Sequence, residues 1–320
     1  MRGLILAAAV LLALGQPVLA QDWQQVEAQD LRLARVADGL LAVNAAMCRQ
    51  TMPLTGAILH SADQYAPGAA DARFTQGLLA VASVQPGSPA EAAGLRPDDA
   101  VLAINGTSIA TLELAADEHL REGAFAVLAA TPPEQSVTLL VARDGQPHSL
   151  SLAAPRGCRV LVEISGSGAD AASDGRVIQL RYDFAANLSD QELAIVVAHE
   201  LAHAILEHRR RKQEAGIDNS REQAARGRNR AANRRAEVEA DRLSVHLLAN
   251  AGYDPLIAVQ FWRTPQGRAA NGDRRGGVYP SVRQRARQIE REVDQYLPLR
   301  TGPSWPQHLL DLRDQPITGD

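Results

Sequence analysis

The sequence predicts an α+β chain, with a small β-barrel or β-sandwich unit followed by a mainly helical unit that carries a small edge sheet. Two observations support this reading. Between Phe74 and about Ala154, short apolar runs alternate with Gly and Pro turn signals, the pattern of strands joined by tight turns. Beyond Cys158 the apolar residues recur at helical spacing, in segments opened by capping residues and closed by glycine. The chain has 320 residues and a formal net charge of −4. That length suffices for two modest domains, each with its own core. The mildly negative charge offers no global attraction to nucleic acid or to acidic membranes.

The first element is a targeting segment. Met1-Arg2, an apolar run from Leu4 to Leu14, and Val18-Leu19-Ala20 read as a secretory signal peptide over residues 1–20, cut near Ala20. The run is too short for a comfortable membrane span, and no later stretch is apolar enough for one. The mature chain is therefore expected to be exported, to the periplasm, with no transmembrane span. Residues 21–70 follow as an N-terminal helical segment, in which Val26, Leu33, Val36, Leu40 and Leu41 pack against the C-terminal unit. Cys48 and Cys158 are the only cysteines. In an oxidising compartment they either form a disulfide, contributing about 4–5 kcal/mol by loop entropy, or remain as two buried thiols.

Residues 71–155 form the β-rich unit. Gly77 to Val84 reads as a strand, and Ser88-Pro89-Ala90-Glu91 as a capping box with proline at the first helical position. Asp99 to Ile104 is a second strand, closed by the turn pair Asn105-Gly106, and Val137 to Leu152 is a hairpin turning at Asp144-Gly145. The run from Val84 to Asp99, with Pro86-Gly87-Ser88-Pro89-Ala90 and Ala93-Gly94-Leu95, resembles the PDZ domains of bacterial envelope proteases. Such domains bind an extended peptide as an added strand. The resemblance implies a carboxylate-holding loop at about Phe74 to Leu78, with Gly77, Leu78, Leu79 and Val81 at the peptide groove. The segment from Ser108 to Gln135 is longer than a single helix needs, so a PDZ fold used as a rigid spacer stays open.

The helical unit carries the chemistry. Ser189-Asp190-Gln191-Glu192 is a capping box that opens a helix apolar nearly all round, through Leu193, Val196, Val197, Leu201, Ile205 and Leu206. Within it, His199-Glu200-x-x-His203 places two imidazoles on one face, one turn apart, with a carboxylate beside them. Histidines at this spacing hold zinc, and the glutamate acts on water as a general base. A second helix is expected from Asn233 to about Asn250, ended by Gly252. On it Glu237 and Asp241 share a face. Glu237 is a candidate third ligand, and Asp241 a candidate acceptor for the spare N–H of a ligand histidine. Glu239 points away and is a weaker candidate. His208 and His246 lack ligand spacing and read as ordinary surface or packing histidines. The arginine-rich stretch from Glu207 to Arg235 reads as a solvated helix extension or a loop over the cleft, since aromatics are not interleaved as in a nucleic-acid surface.

His199-Glu200-x-x-His203 with Glu237-x-x-Ala240-Asp241 resembles the gluzincin metalloproteases of the HtpX, BepA and Oma type over about Cys158 to Leu297. The resemblance implies a zinc metalloprotease domain over 156–320, one Zn2+ per chain, and ligands His199, His203 and Glu237, with Glu200 as catalyst. It also implies a substrate edge strand at Val177, Ile178, Gln179 and Leu180. Tyr279 stands where that family carries a histidine. Tyr279 and Arg285 are therefore candidates to contact the substrate or the transition state. The expected function is zinc-dependent hydrolysis of peptide bonds in misfolded or misassembled envelope proteins, which the PDZ unit recruits. The alternative is a PDZ-based binding or chaperone-like protein with a latent or structural zinc site. Oligomeric state is not readable from these residues.

Overall fold

The computed structural model describes residues 23–66, 68, 71–115, 118–218, 223–270, 279–298 and 301–317. The signal segment read at Met1 to Ala20 lies outside them. Helix α1, Trp23–Val43, buries Leu33, Ala37, Leu40 and Leu41, a single stripe at helical spacing that packs on the C-terminal unit. Strand β1, Thr51–Pro53, comes next, so residues 21–70 are only partly helical.

The β-rich unit contains, in chain order, β2 (Ala57–Ser61), β3 (Leu79–Val84), α2 (Pro89–Ala92), β4 (Ala100–Ile104), β5 (Thr107–Ser108), α3 (Leu120–Ala129), β6 (Val137–Arg143) and β7 (Gln146–Leu152). Its strands pair antiparallel in the order β2-β3-β4-β6-β7, with β5 hung on β4. Asn105-Gly106 and Asp144-Gly145 all take positive φ, as two-residue hairpin turns with the strands' twist require. The Ser88 hydroxyl accepts from the Glu91 N–H and caps α2. One prediction is corrected here. The sheet is open, neither a closed barrel nor a sandwich, because α3 supplies the cover. Ala124 and Leu128 of α3 pack with Leu79, Val81, Val101, Ile104 and Leu139.

After β7 the chain returns through β8, Arg156–Cys158, which pairs antiparallel with β1, Thr51 facing Cys158. A disulfide joins Cys48 to Cys158 across a sequence separation of 110 residues. The β-rich unit is thus an excursion whose two ends are stapled at one point. Strands β9 (Leu161–Ser165), β10 (Ala171–Ser173) and β11 (Val177–Arg181) follow as a three-stranded sheet in the order β10-β11-β9. The remainder is helical: α4 (Tyr182–Ala186), α5 (Asp190–Ile205), α6 (His208–Glu214), α7 (Gly227–Asn250), α8 (Ile257–Phe261), α9 (Pro265–Ala270), α10 (Val282–Tyr296) and α11 (Gln307–Leu310). Among the described residues, no helix is long and apolar enough to cross a membrane.

Two expected peptide-docking strands prove to be interior strands. β3 has β2 on one edge and β4 on the other, and the Leu79 and Val81 side chains are in the core. Neither residue can border a groove for an added strand, and neighbouring Gly77 and Leu78 fall on that same strand's approach. The edges of this sheet are β7 and, next to α3, β2. Beside it and α3 lies a cavity of about 100 Å³, but Leu41 of α1 and Val160 and Val162 form its far wall. A buried ion pair, Arg121 to Glu163 at 3.1 Å, bridges α3 and β9 there. Likewise β11, with Val177, Ile178, Gln179 and Leu180, is flanked by β9 and β10, and Ile178 and Leu180 are in the core. The edges of that sheet are β9 and β10, and β10 lines the cleft.

The seam between the units carries carboxylates on α1. Asp30 accepts from the Ile164 N–H at 2.7 Å, and Asp38 from the Gln85 side-chain N–H at 2.8 Å. Burial pushes both carboxyls up to about 6. A raised carboxyl pKa contributes stability that is full below its unfolded value near 3.9 and lost as pH rises through about 6. Asp38→Asn, which keeps an acceptor, should therefore stabilise the protein by about 1 kcal/mol near neutral pH and by much less near pH 4. Urea unfolding across that range reads the difference, and a gain independent of pH would contradict the assignment.

Candidate metal centre

Helix α5 starts where the sequence marks it. The Ser189 hydroxyl accepts from the Glu192 N–H, and the Glu192 carboxylate accepts from the Ser189 N–H. The helix is buried on almost every side, and α7 packs against it. That contact brings Glu237 onto the two histidines. His199 Nε2 lies 3.3 Å from Glu237 Oε2 and 3.3 Å from His203 Nε2, while His203 Nε2 lies 3.7 Å from Glu237 Oε1. The three ligand-capable atoms sit within 4.8 Å of one another. Two imidazole nitrogens and a carboxylate converging on one point form a donor set that fits zinc.

Glu200 is buried beside this point and lines the same cleft, a space of about 750 Å³. Burial pushes its carboxyl up to about 7, so it can take and release a proton near neutrality. At His199 burial opposes charge, but the Asp241 and Glu237 carboxylates outweigh it and raise the ring's pKa to about 9. Burial also opposes ionisation of Glu237, and His203 and His199 overcome it, bringing the carboxyl down to about 2. The field at His199 and Glu237 thus favours positive charge, whereas burial holds the His203 ring well below its usual pKa, in the neutral form that a metal ligand needs.

Each histidine is held from behind. His199 Nδ1 faces Asp241 Oδ1 at 3.1 Å. Arg285 grips Asp241 with two donors, Nε to Oδ2 at 2.8 Å and Nη2 to Oδ1 at 2.6 Å. Its guanidinium lies 3.3 Å over the Trp262 ring, which itself meets His199 edge-on. These contacts give Arg285 a positioning role that the sequence did not suggest. It is buried behind Asp241, where it positions the histidine, and it also borders the cleft. Tyr279 does line the cleft, as do Ala171, Ala172 and Ser173 of β10.

On the other side, His203 Nδ1 lies 2.8 Å from His208 Nδ1, and His208 Nε2 lies 3.0 Å from Glu239 Oε2. Arg211 donates to that same Glu239 oxygen at 2.7 Å. His208, Glu239 and Arg211 are all buried, and the sequence had not placed them together at the site. The reason is Glu207, whose backbone is left-handed at φ 53°. That residue turns the chain between α5 and α6 and folds His208 back onto His203, off any helical spacing. Glu239 leaves α7 away from Glu237, but α6 occupies that flank and meets it.

Arg285 and Asp241 are both sealed from solvent, so removing one partner strands the other. Arg285→Ala should destabilise the chain by about 3–5 kcal/mol, measured by denaturant unfolding. A loss below about 1 kcal/mol would mean the pair does not carry the site as a unit.

Comparison with known proteins bears on the β-rich unit. No curated protein matches the chain. A solved structure described as an HtrA-type protease AlgW with decapeptide matches at 26% identity and a TM-score of 0.25. That overlap covers 34% of this chain and 30% of the other, so the chain spans under a third of that protein's length. The PDZ domain family matches residues 80–143, from β3 through β6, with β2 and β7 completing the sheet. The β-rich unit is a PDZ domain.

Proposed function

We propose that the chain is an exported zinc-dependent endopeptidase acting on envelope proteins, with its PDZ domain positioning the substrate. The convergence of His199 Nε2, His203 Nε2 and a Glu237 carboxylate oxygen beside Glu200, in an accessible cleft, carries this reading. The resemblance of these residues to the gluzincin pattern supports it. A zinc ion held by His199, His203 and Glu237 supplies Lewis acidity at the floor of the cleft.

The rest of the chemistry belongs to the chain. Glu200, with its carboxyl raised toward neutrality, accepts a proton from the attacking water and passes it to the leaving amine. Asp241, with Arg285 behind it, fixes the His199 ring, and His208 with Glu239 fixes the His203 ring. Edge strand β10 presents unpaired backbone groups along the cleft, so an extended substrate can align there as a further strand. Tyr279 is the cleft side chain we assign to hydrogen bonding with the developing oxyanion. A PDZ-based binding protein with a purely structural zinc site does not need Glu200 in the cleft beside the ligands.

Glu200→Gln should keep zinc content and thermal stability while casein cleavage falls about 10²–10⁴-fold. Undiminished cleavage in that variant would remove Glu200 from the mechanism. Zinc binding without cleavage of any unfolded protein by the wild type would favour the binding reading.

A further inference from the structure

A second set of ligand-type atoms lies outside the cleft. His246 of α7, Glu292 of α10 and His308 of α11 bring two imidazoles and a carboxylate within 4.8 Å of one another. Glu292 Oε1 lies 3.1 Å from His246 Nε2 and 2.7 Å from His308 Nε2. His246 and Glu292 are nearly sealed from solvent, whereas the His308 side chain is 28% exposed. We propose that His246, Glu292 and His308 form a second, structural zinc site that clamps the C-terminal segment to α7 and α10.

The surroundings are those of a built site. Each donor is held from behind, as ligands are when their orientation matters. His246 Nδ1 lies 2.6 Å from the Ser304 hydroxyl. Arg242 donates to Glu292 Oε2 at 2.6 Å, which leaves Oε1 turned to the histidines. The His308 ring stacks on Tyr296 at 4.0 Å between centroids. Partial exposure of His308 gives the ion a way in and leaves room for water as a further ligand. His246 follows Glu237 by nine residues on the same helix, about 13 Å along its axis. The two sites are therefore too far apart to act as a bridged pair, in which metals sit about 4 Å apart. None of its three residues lines the cleft that Glu200 lines, and a structural role follows. The ligands come from three separate helices, one of them the short α11 near the end of the described chain, so one ion would cross-link all three.

Zinc content per chain, read by native mass spectrometry of zinc-loaded protein, tests the proposal. The wild type should hold two ions, His308→Ala one, and His199→Ala/His203→Ala one. The last variant leaves the second cluster intact, so it decides the question even if His308→Ala fails to fold. One ion in the wild type and in His308→Ala, with none in the double variant, would overturn the site and leave a hydrogen-bonded array. One ion in the wild type, lost only with His308→Ala, would support this site while removing the catalytic centre.

Discussion

The packing of α5 against α7 is the constraint on which the site depends, because the three candidate ligands and Glu200 all hang from that contact. α5 carries both histidines and Glu200, and α7 carries Glu237, Glu239 and Asp241. Neither helix could hold those groups in isolation. Buried imidazoles and carboxylates are costly without partners, and here each is the other's partner. Arg285, from α10, locks the arrangement by neutralising Asp241 where water is excluded. The apolar residues that surround α5 set the position of the two helices, and the polar network sets the rotamers.

The PDZ domain is attached in a way that limits what it can do. Its chain leaves at β1 and returns at β8, the two strands pair, and the disulfide closes the neck. One edge of its sheet, β2, is turned toward α1 and β9, with Arg121 and Glu163 bridging the seam. The strand joined to that seam, β9, belongs to the same small sheet whose edge β10 lines the cleft. The domain therefore sits as a fixed wall next to the sheet that faces the candidate centre.

Much of this was legible in the sequence, for identifiable reasons. Helix α5 announced itself through the Ser189 capping box, and the four-residue spacing of its histidines is a purely local signal. The turns at Asn105-Gly106 and Asp144-Gly145 were legible because few other residues adopt that backbone. What escaped was non-local. Strand β2 pairs with β3 across a long loop, so β3 was read as an edge when it is an interior strand. The same error made β11 the substrate edge in place of β10. His208 looked like an ordinary surface or packing histidine and Arg211 like part of a solvated basic stretch, because nothing in their spacing shows that Glu207 reverses the helix. Trp262 gave no signal at all; only the fold brings its ring under Arg285.

Crystals grown with zinc, with diffraction recorded on both sides of the zinc absorption edge, test the central claim most directly. The account predicts an anomalous peak between His199 Nε2, His203 Nε2 and the Glu237 carboxylate, within about 2.2 Å of each. Zinc-saturated crystals with both rings ordered and no peak at that point would contradict it.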